Sequence, residues 1–150
     1  MREIKFRVWD KKLKEMNYLS LEDLCEDDYW YDGETSVWNV LNDCNDKNER
    51  FEIMQYTGLK DKNGVEIYEG DIVKNNWTSF AGKDLSGIWE VRFGEYDNSD
   101  LEYGSGGNIG FYAYSLKNGD EEGLNNLPCN TNDGIEVIGN IYKDLKESGE

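Results

Sequence analysis

Three features of this sequence predict an all-β chain, with a small β-barrel in residues 51–150 and a β-hairpin subdomain carrying an acidic loop in residues 1–50. First, apolar residues recur in short runs with a period of two, the spacing that lines one face of a strand. Second, Gly, Asn and Asp punctuate those runs, and almost no stretch repeats at the spacing of a helix. Third, Asn63-Gly64 lies between two such runs. It is a strong hairpin signal, because both central positions of a type I′ turn need φ > 0.

The elements follow in order. Ile4, Phe6 and Val8 alternate with Lys5 and Arg7, which predicts a half-buried strand. Asp10-Lys11-Lys12 turns the chain, and residues 13–18 return as the second arm of a hairpin. Ser20 with Asp23 three residues later resembles a capping box, so one short helical turn is expected there, with Leu21 and Leu24 inward. Residues 22–34 crowd Glu22, Asp23, Glu26, Asp27, Asp28, Asp32 and Glu34 around Tyr29, Trp30 and Tyr31. Like charges at that density repel and favour an exposed loop pinned by its aromatics. Residues 36–41 read as a strand, residues 42–49 as a polar loop, and residues 51–56 as a strand with Phe51, Ile53 and Gln55 on one face.

The barrel strands are expected near 65–68, 71–74, 88–93, 109–116 and 135–142, with Glu69-Gly70 turning the chain into Ile72-Val73. Trp89 alternates with Val91 and Phe93, which places Trp89 in the core. Gly139 inside the last strand predicts a bulge. The tail from Lys143 is polar and reads as frayed.

Composition narrows the function. Apolar residues make up only 37% of the chain, but aromatics make up 13%, and each ring buries about 150–250 Å². A folded core is therefore within reach of a sequence with a polar surface. The net charge is −16, with 32 acids against 16 bases, and no Lys/Arg patch is interleaved with aromatics. Direct nucleic-acid binding is not expected, since it needs a basic footprint. Cys25, Cys44 and Cys129 are odd in number and lack paired spacing, the N-terminus has no apolar signal region, and no apolar run is long enough to span a bilayer. A cytoplasmic protein with reduced thiols and no membrane partner is expected.

Catalytic chemistry finds few candidates. Histidine is absent, which removes the commonest general base, the Ser/His and Cys/His nucleophile systems and the His-containing zinc sites. Asp71, Glu90 and Glu136 sit on predicted strands and would have to converge for a magnesium-dependent nuclease. The local alternative for Asp71 is that its carboxylate accepts backbone N–H groups and fixes the preceding turn. Asp61-Lys-Asn-Gly64 resembles the middle of a calcium loop, but the first ligand position would be Leu59 and the last Gly70, so the pattern reads as a turn. The glycine-rich residues 104–110 do not spell a phosphate-binding motif and read as a loop.

Several blocks of the sequence together resemble the YopX family of phage and prophage proteins. They are Ile4-Lys-Phe-Arg-Val-Trp-Asp10, the stretch from Met54 to Val73, and the closing Ile138-Gly-Asn-Ile-Tyr142. The spacing of Tyr56-Thr-Gly-Leu-Lys-Asp-Lys-Asn-Gly64 from Glu69-Gly-Asp-Ile-Val73 is the most specific part, and the latter block resembles by analogy the entry strand of an SH3-like barrel. The resemblance implies a β-rich fold, a phage or prophage origin and a place in the host bacterial cytoplasm. It brings no catalytic residue with it.

The expectation is accordingly a non-catalytic β-barrel module that binds a protein partner or its own copies as a homo-oligomer, with no cofactor and no metal. Tyr29, Trp30, Tyr31, Trp77 and Phe80, large rings in the connecting segments, are the candidate contact residues. Two alternatives belong to other classes. An acidic DNA mimic that inhibits a host nucleic-acid enzyme would space its acids along one face. A carboxylate-metal nuclease would gather three or more of them around one ion.

Overall fold

The computed structural model describes residues 3–25, 50–76, 78, 82, 84, 86–97, 107–127 and 134–143. Among these residues the secondary structure is almost wholly β. The chain divides into two compact units, Met1–Tyr56 and Thr57–Glu150.

In the first unit, β1 (Lys5–Asp10) lies between β2 (Glu15–Ser20) and the opening residues of β3 (Phe51–Lys60), and both pairings are antiparallel. As a central strand β1 is covered on both faces. Val8, Trp9 and Asp10 are all buried, and Arg7, expected on an open face, is only 4% exposed. The simple alternation expected here is therefore replaced by burial along most of the strand. The turn after β1 is built on Asp10. Its Oδ1 accepts the N–H groups of Lys12 and Leu13 at 2.8 and 3.2 Å, and the Arg50 guanidinium donates to both carboxylate oxygens at 3.1 and 2.7 Å. Burial alone would push the Asp10 carboxyl up. The Arg50 hydrogen bonds, the two backbone N–H groups and the Arg50 charge outweigh it and hold the carboxyl below its ordinary value.

The expected helical turn is present as α1 (Leu21–Cys25), but Leu21, expected inward, is 49% exposed. Asp23 accepts the Ser20 N–H at 2.6 Å while the Asp23 N–H donates to the Ser20 hydroxyl at 3.2 Å, the reciprocal bonding of a capping box. The strand expected at 36–41 and most of the acidic loop lie outside the described residues.

The second unit begins with the end of β3, followed by β4 (Glu66–Tyr68), β5 (Asp71–Asn75), β6 (Gly87–Tyr96), β7 (Asn108–Ser115), β8 (Glu121–Gly123), a 3₁₀ turn (Leu124–Asn126) and β9 (Glu136–Asn140). The strand order is β2-β1-β3-β4 in one sheet and β8-β7-β6-β5-β9 in the other. The closed barrel expected from the sequence does not form. Among the described residues the five-stranded sheet is open, with β8 and β9 at its two edges, and β4 joins β3 instead. β8 offers only three residues before the chain winds into the 3₁₀ turn, too short an edge for closure. The register slips between Ile72 and Val73, which face Gly139 and Val137, so Ile138 is the extra residue of the bulge predicted at Gly139.

The core of this unit joins Ile67, Val73, Trp89, Val91, Ala113, Leu124, Leu127 and Ile135, with Leu59, Phe111 and Val137 packed against them. Burying each large aliphatic side chain contributes about 1.5–3 kcal/mol. Trp89 has its predicted place there, 2% exposed.

The hairpin between β3 and β4 is not a type I′ turn. Gly64 has φ +81, but Lys14 is the one described non-glycine residue with a positive φ, so Asn63 does not supply the second left-handed position. Asp61 shapes the turn instead. It is 1% exposed, and its Oδ1 accepts the N–H groups of Asn63 and Val65 at 2.8 and 2.9 Å. Its Oδ2 accepts the Val137 N–H of β9 at 3.0 Å, and Lys62 N–H donates to the Ile135 carbonyl beside it. Asp71 does what its local reading anticipated: 1% exposed, it accepts the Tyr68 N–H at 2.8 Å and closes the Glu69-Gly70 turn.

Two outcomes follow. Asp61→Ala leaves three N–H groups without their acceptor and should lower the unfolding free energy by about 2–4 kcal/mol in urea denaturation. Asp61→Asn should cost less, because it keeps the Asn63 and Val65 bonds and sets an amide donor against Val137 only. Asp10, with a folded-state carboxyl held below the ordinary 3.8, contributes stability that is complete above that pH. The contribution disappears as pH falls through the lower folded-state value. Asp10→Asn should remove this part of the acid sensitivity, read as a shallower loss of stability between neutral pH and pH 3.

Candidate functional site

β6 and β7 are ten and eight residues long and pair along eight positions, from Trp89 opposite Ser115 to Tyr96 opposite Asn108. Their flanking strands are shorter. β5 pairs with β6 only as far as Glu90, and β8 pairs with β7 only over Tyr112–Tyr114. Past those limits β6 and β7 form a two-stranded ribbon whose outer edges carry no strand among the described residues.

Side chains on one side of this ribbon continue the core face. Trp89, Val91 and Phe93 share it with Ala113, Phe111 and Ile109. Trp89 and Val91 are covered, but Phe93 is 55% and Ile109 77% exposed. The Phe93 and Phe111 rings meet edge to face at 5.0 Å, which fixes the Phe93 side chain. Glu95, directly opposite Ile109, is also exposed.

The other side carries Glu90, Arg92, Tyr96, Tyr112 and Tyr114. The Arg92 guanidinium lies over the Tyr114 ring at 3.9 Å and donates to the Glu90 carboxylate at 2.9 Å. That hydrogen bond, against some opposition from burial, raises the Arg92 pKa above its ordinary value. Tyr96 stacks on Tyr112 with centroids 5.3 Å apart. Tyr96 faces Asn108, four residues from Tyr112, a span of about 13 Å on a flat ribbon. The ribbon therefore bends toward this side. The bend lies at Gly94 and Gly110, which face each other with φ +150 and +157, values that side-chain-bearing residues rarely adopt. Asp97 N–H reaches back to the Glu121 carboxylate at 2.7 Å and completes the fold-over.

The contact residues predicted from the sequence, Tyr29, Trp30, Tyr31, Trp77 and Phe80, lie outside the described residues. The three acids considered for a metal site serve separate purposes. Asp71 holds its turn, Glu90 pairs with Arg92, and Glu136 pairs with Lys62 at 3.0 Å. Among the described residues no three His, Cys, Asp or Glu side chains are grouped to hold an ion. Sequence reasoning missed the ribbon. Alternation past Val91 pointed inward for Phe93, and only the glycines at 94 and 110, each interrupting a strand pattern, signalled a change.

The bend has a direct test. A Cβ placed on Gly123 would come 2.8 Å from the Tyr96 hydroxyl. Gly123→Ala should displace Tyr96 from Tyr112, weakening the near-UV circular dichroism of the tyrosines, with a stability loss of about 0.5–1.5 kcal/mol from the lost ring stacking.

Comparison with known proteins places the chain. No curated protein matches it. The crystal structure of protein EF1440 from Enterococcus faecalis is similar over 93% of each chain, with 24% identity and a TM-score of 0.49. The family described as YopX protein matches residues 5–146, which takes in β1, the Asp61 hairpin, the bent ribbon and β9. The chain belongs to the YopX family.

Proposed function

We propose that this chain is a non-catalytic protein-binding module of phage or prophage origin, acting in the host cytoplasm through its β6–β7 ribbon. The observation that carries the reading is the pair Phe93 and Ile109, 55% and 77% exposed on an ordered strand pair that extends past its neighbours. Apolar side chains held in water on a fixed element gain free energy when a partner covers them. Their position fits a contact surface better than a reaction centre, since the acids once considered for metal binding are engaged in turns and ion pairs. No helix among the described residues is long and apolar enough to cross a membrane. Three cysteines without paired spacing suit a reducing compartment. Tyr29, Trp30, Tyr31, Trp77 and Phe80 join the proposal as further contact residues on the ground of their sequence setting, large rings among acids and in connecting segments.

Replacing Phe93 and Ile109 together by Thr tests the reading. Circular dichroism should be unchanged and stability should fall by about 1–3 kcal/mol, the Phe93–Phe111 ring contact together with the partial burial of Phe93. The unaltered chain should show a mass above that of the monomer in light scattering, or retain a specific partner from host lysate, and the double variant should lose that association. A strict monomer that retains nothing in either form refutes the proposal.

A further inference from the structure

We infer that the ribbon takes a cationic protein segment bearing an apolar anchor, and that its occupant is not a second copy of this chain; the inference rests on the contact surface proposed above. The chemistry of the exposed side selects the partner. Phe93, Phe111 and Ile109 form an apolar strip, and Glu95 stands directly across from Ile109. Glu95 is exposed, and among the described residues no ion pair engages its carboxylate. The neighbouring cation on β6, Arg92, belongs to the opposite side, where Glu90 and the Tyr114 ring engage it. Asp97, where the ribbon ends, adds another exposed acid.

An arriving Lys or Arg fits this arrangement with both halves of its side chain. The aliphatic stem packs along Ile109, the charged head reaches Glu95, and the exposed Phe93 ring offers further apolar contact. A Leu, Ile or Phe next to it covers the remaining strip. A second copy fits poorly. Each chain carries a net charge of −16, so self-association opposes two strongly negative bodies and brings acids, not bases, toward Glu95.

The test uses the full chain and a fluorescein-labelled peptide in which Arg and Lys alternate with Leu and Ile, read by fluorescence anisotropy. Its control is the same peptide with Glu in place of each base. The cationic peptide should bind, more weakly at high salt, and the acidic control should not. Glu95→Lys should weaken binding by about tenfold, while Glu22→Lys, an equal charge change at an exposed residue of the first unit, should weaken it less than about twofold. Equal losses in the two variants would show a diffuse field and overturn the inference. So would binding of the acidic control, or no binding of either peptide. The Phe93→Thr, Ile109→Thr double variant separates the two levels of the argument. If light scattering shows a dimer that this variant dissociates, a second copy is the occupant: the charge inference falls and the contact surface stands. If the variant alters neither peptide binding nor mass, the ribbon itself is refuted.

Discussion

One buried carboxylate organises the second unit. Asp61 gathers the N–H groups of Asn63, Val65 and Val137, which belong to a turn and to a strand seventy-odd residues later in the chain. A carboxylate is a favourable acceptor for several backbone donors, because charge-assisted bonds are shorter and stronger than neutral ones. The cost of burying the charge is met only when those donors are all in place. The arrangement thus couples local turn geometry to long-range strand placement. With β9 held this way, Ile135 and Val137 reach the core, β5 finds its second neighbour, and β6 is supported on one side up to Glu90.

The ribbon is a consequence of that support ending. A strand pair in the middle of a sheet hides its inner face behind other elements. Where β5 and β8 stop, the same alternation carries on, but nothing described lies over it. Phe93 and Ile109 are thus placed by the same periodicity that buries Trp89 and Val91. Their exposure comes from unequal strand lengths, and the bend at Gly94 and Gly110 turns the ribbon's tyrosine side in upon the sheet.

Much of the fold was legible because its signals are local. The strands at 51–56 and 88–93, the Ser20/Asp23 cap, the bulge at Gly139 and the turn held by Asp71 each depend on a few neighbouring residues, and each is present, although burial in the two strands does not alternate throughout. What escaped is non-local. A period of two does not reveal which strand is central, so Arg7 was expected outside. Asn63-Gly64 suggested a type I′ turn because nothing in the local sequence shows the reach of Asp61 to Val137. The barrel expected from strands at 65–68 onward stays open because β4 pairs with β3, and the edge strand Glu121–Gly123, whose acidic sequence carries no strand signal, was not foreseen. The candidate site was hidden for a related reason: whether Phe93 is covered depends on where other strands stop, a property absent from its own neighbourhood.

The bend in the ribbon is made by the main chain. Gly94 and Gly110 set it through their backbone angles, with open space where side chains would begin. Residues at 93, 95, 109 and 111 therefore have little part in creating the curvature that displays them. Such a surface can exchange its side chains, residue by residue, while the frame beneath keeps its shape.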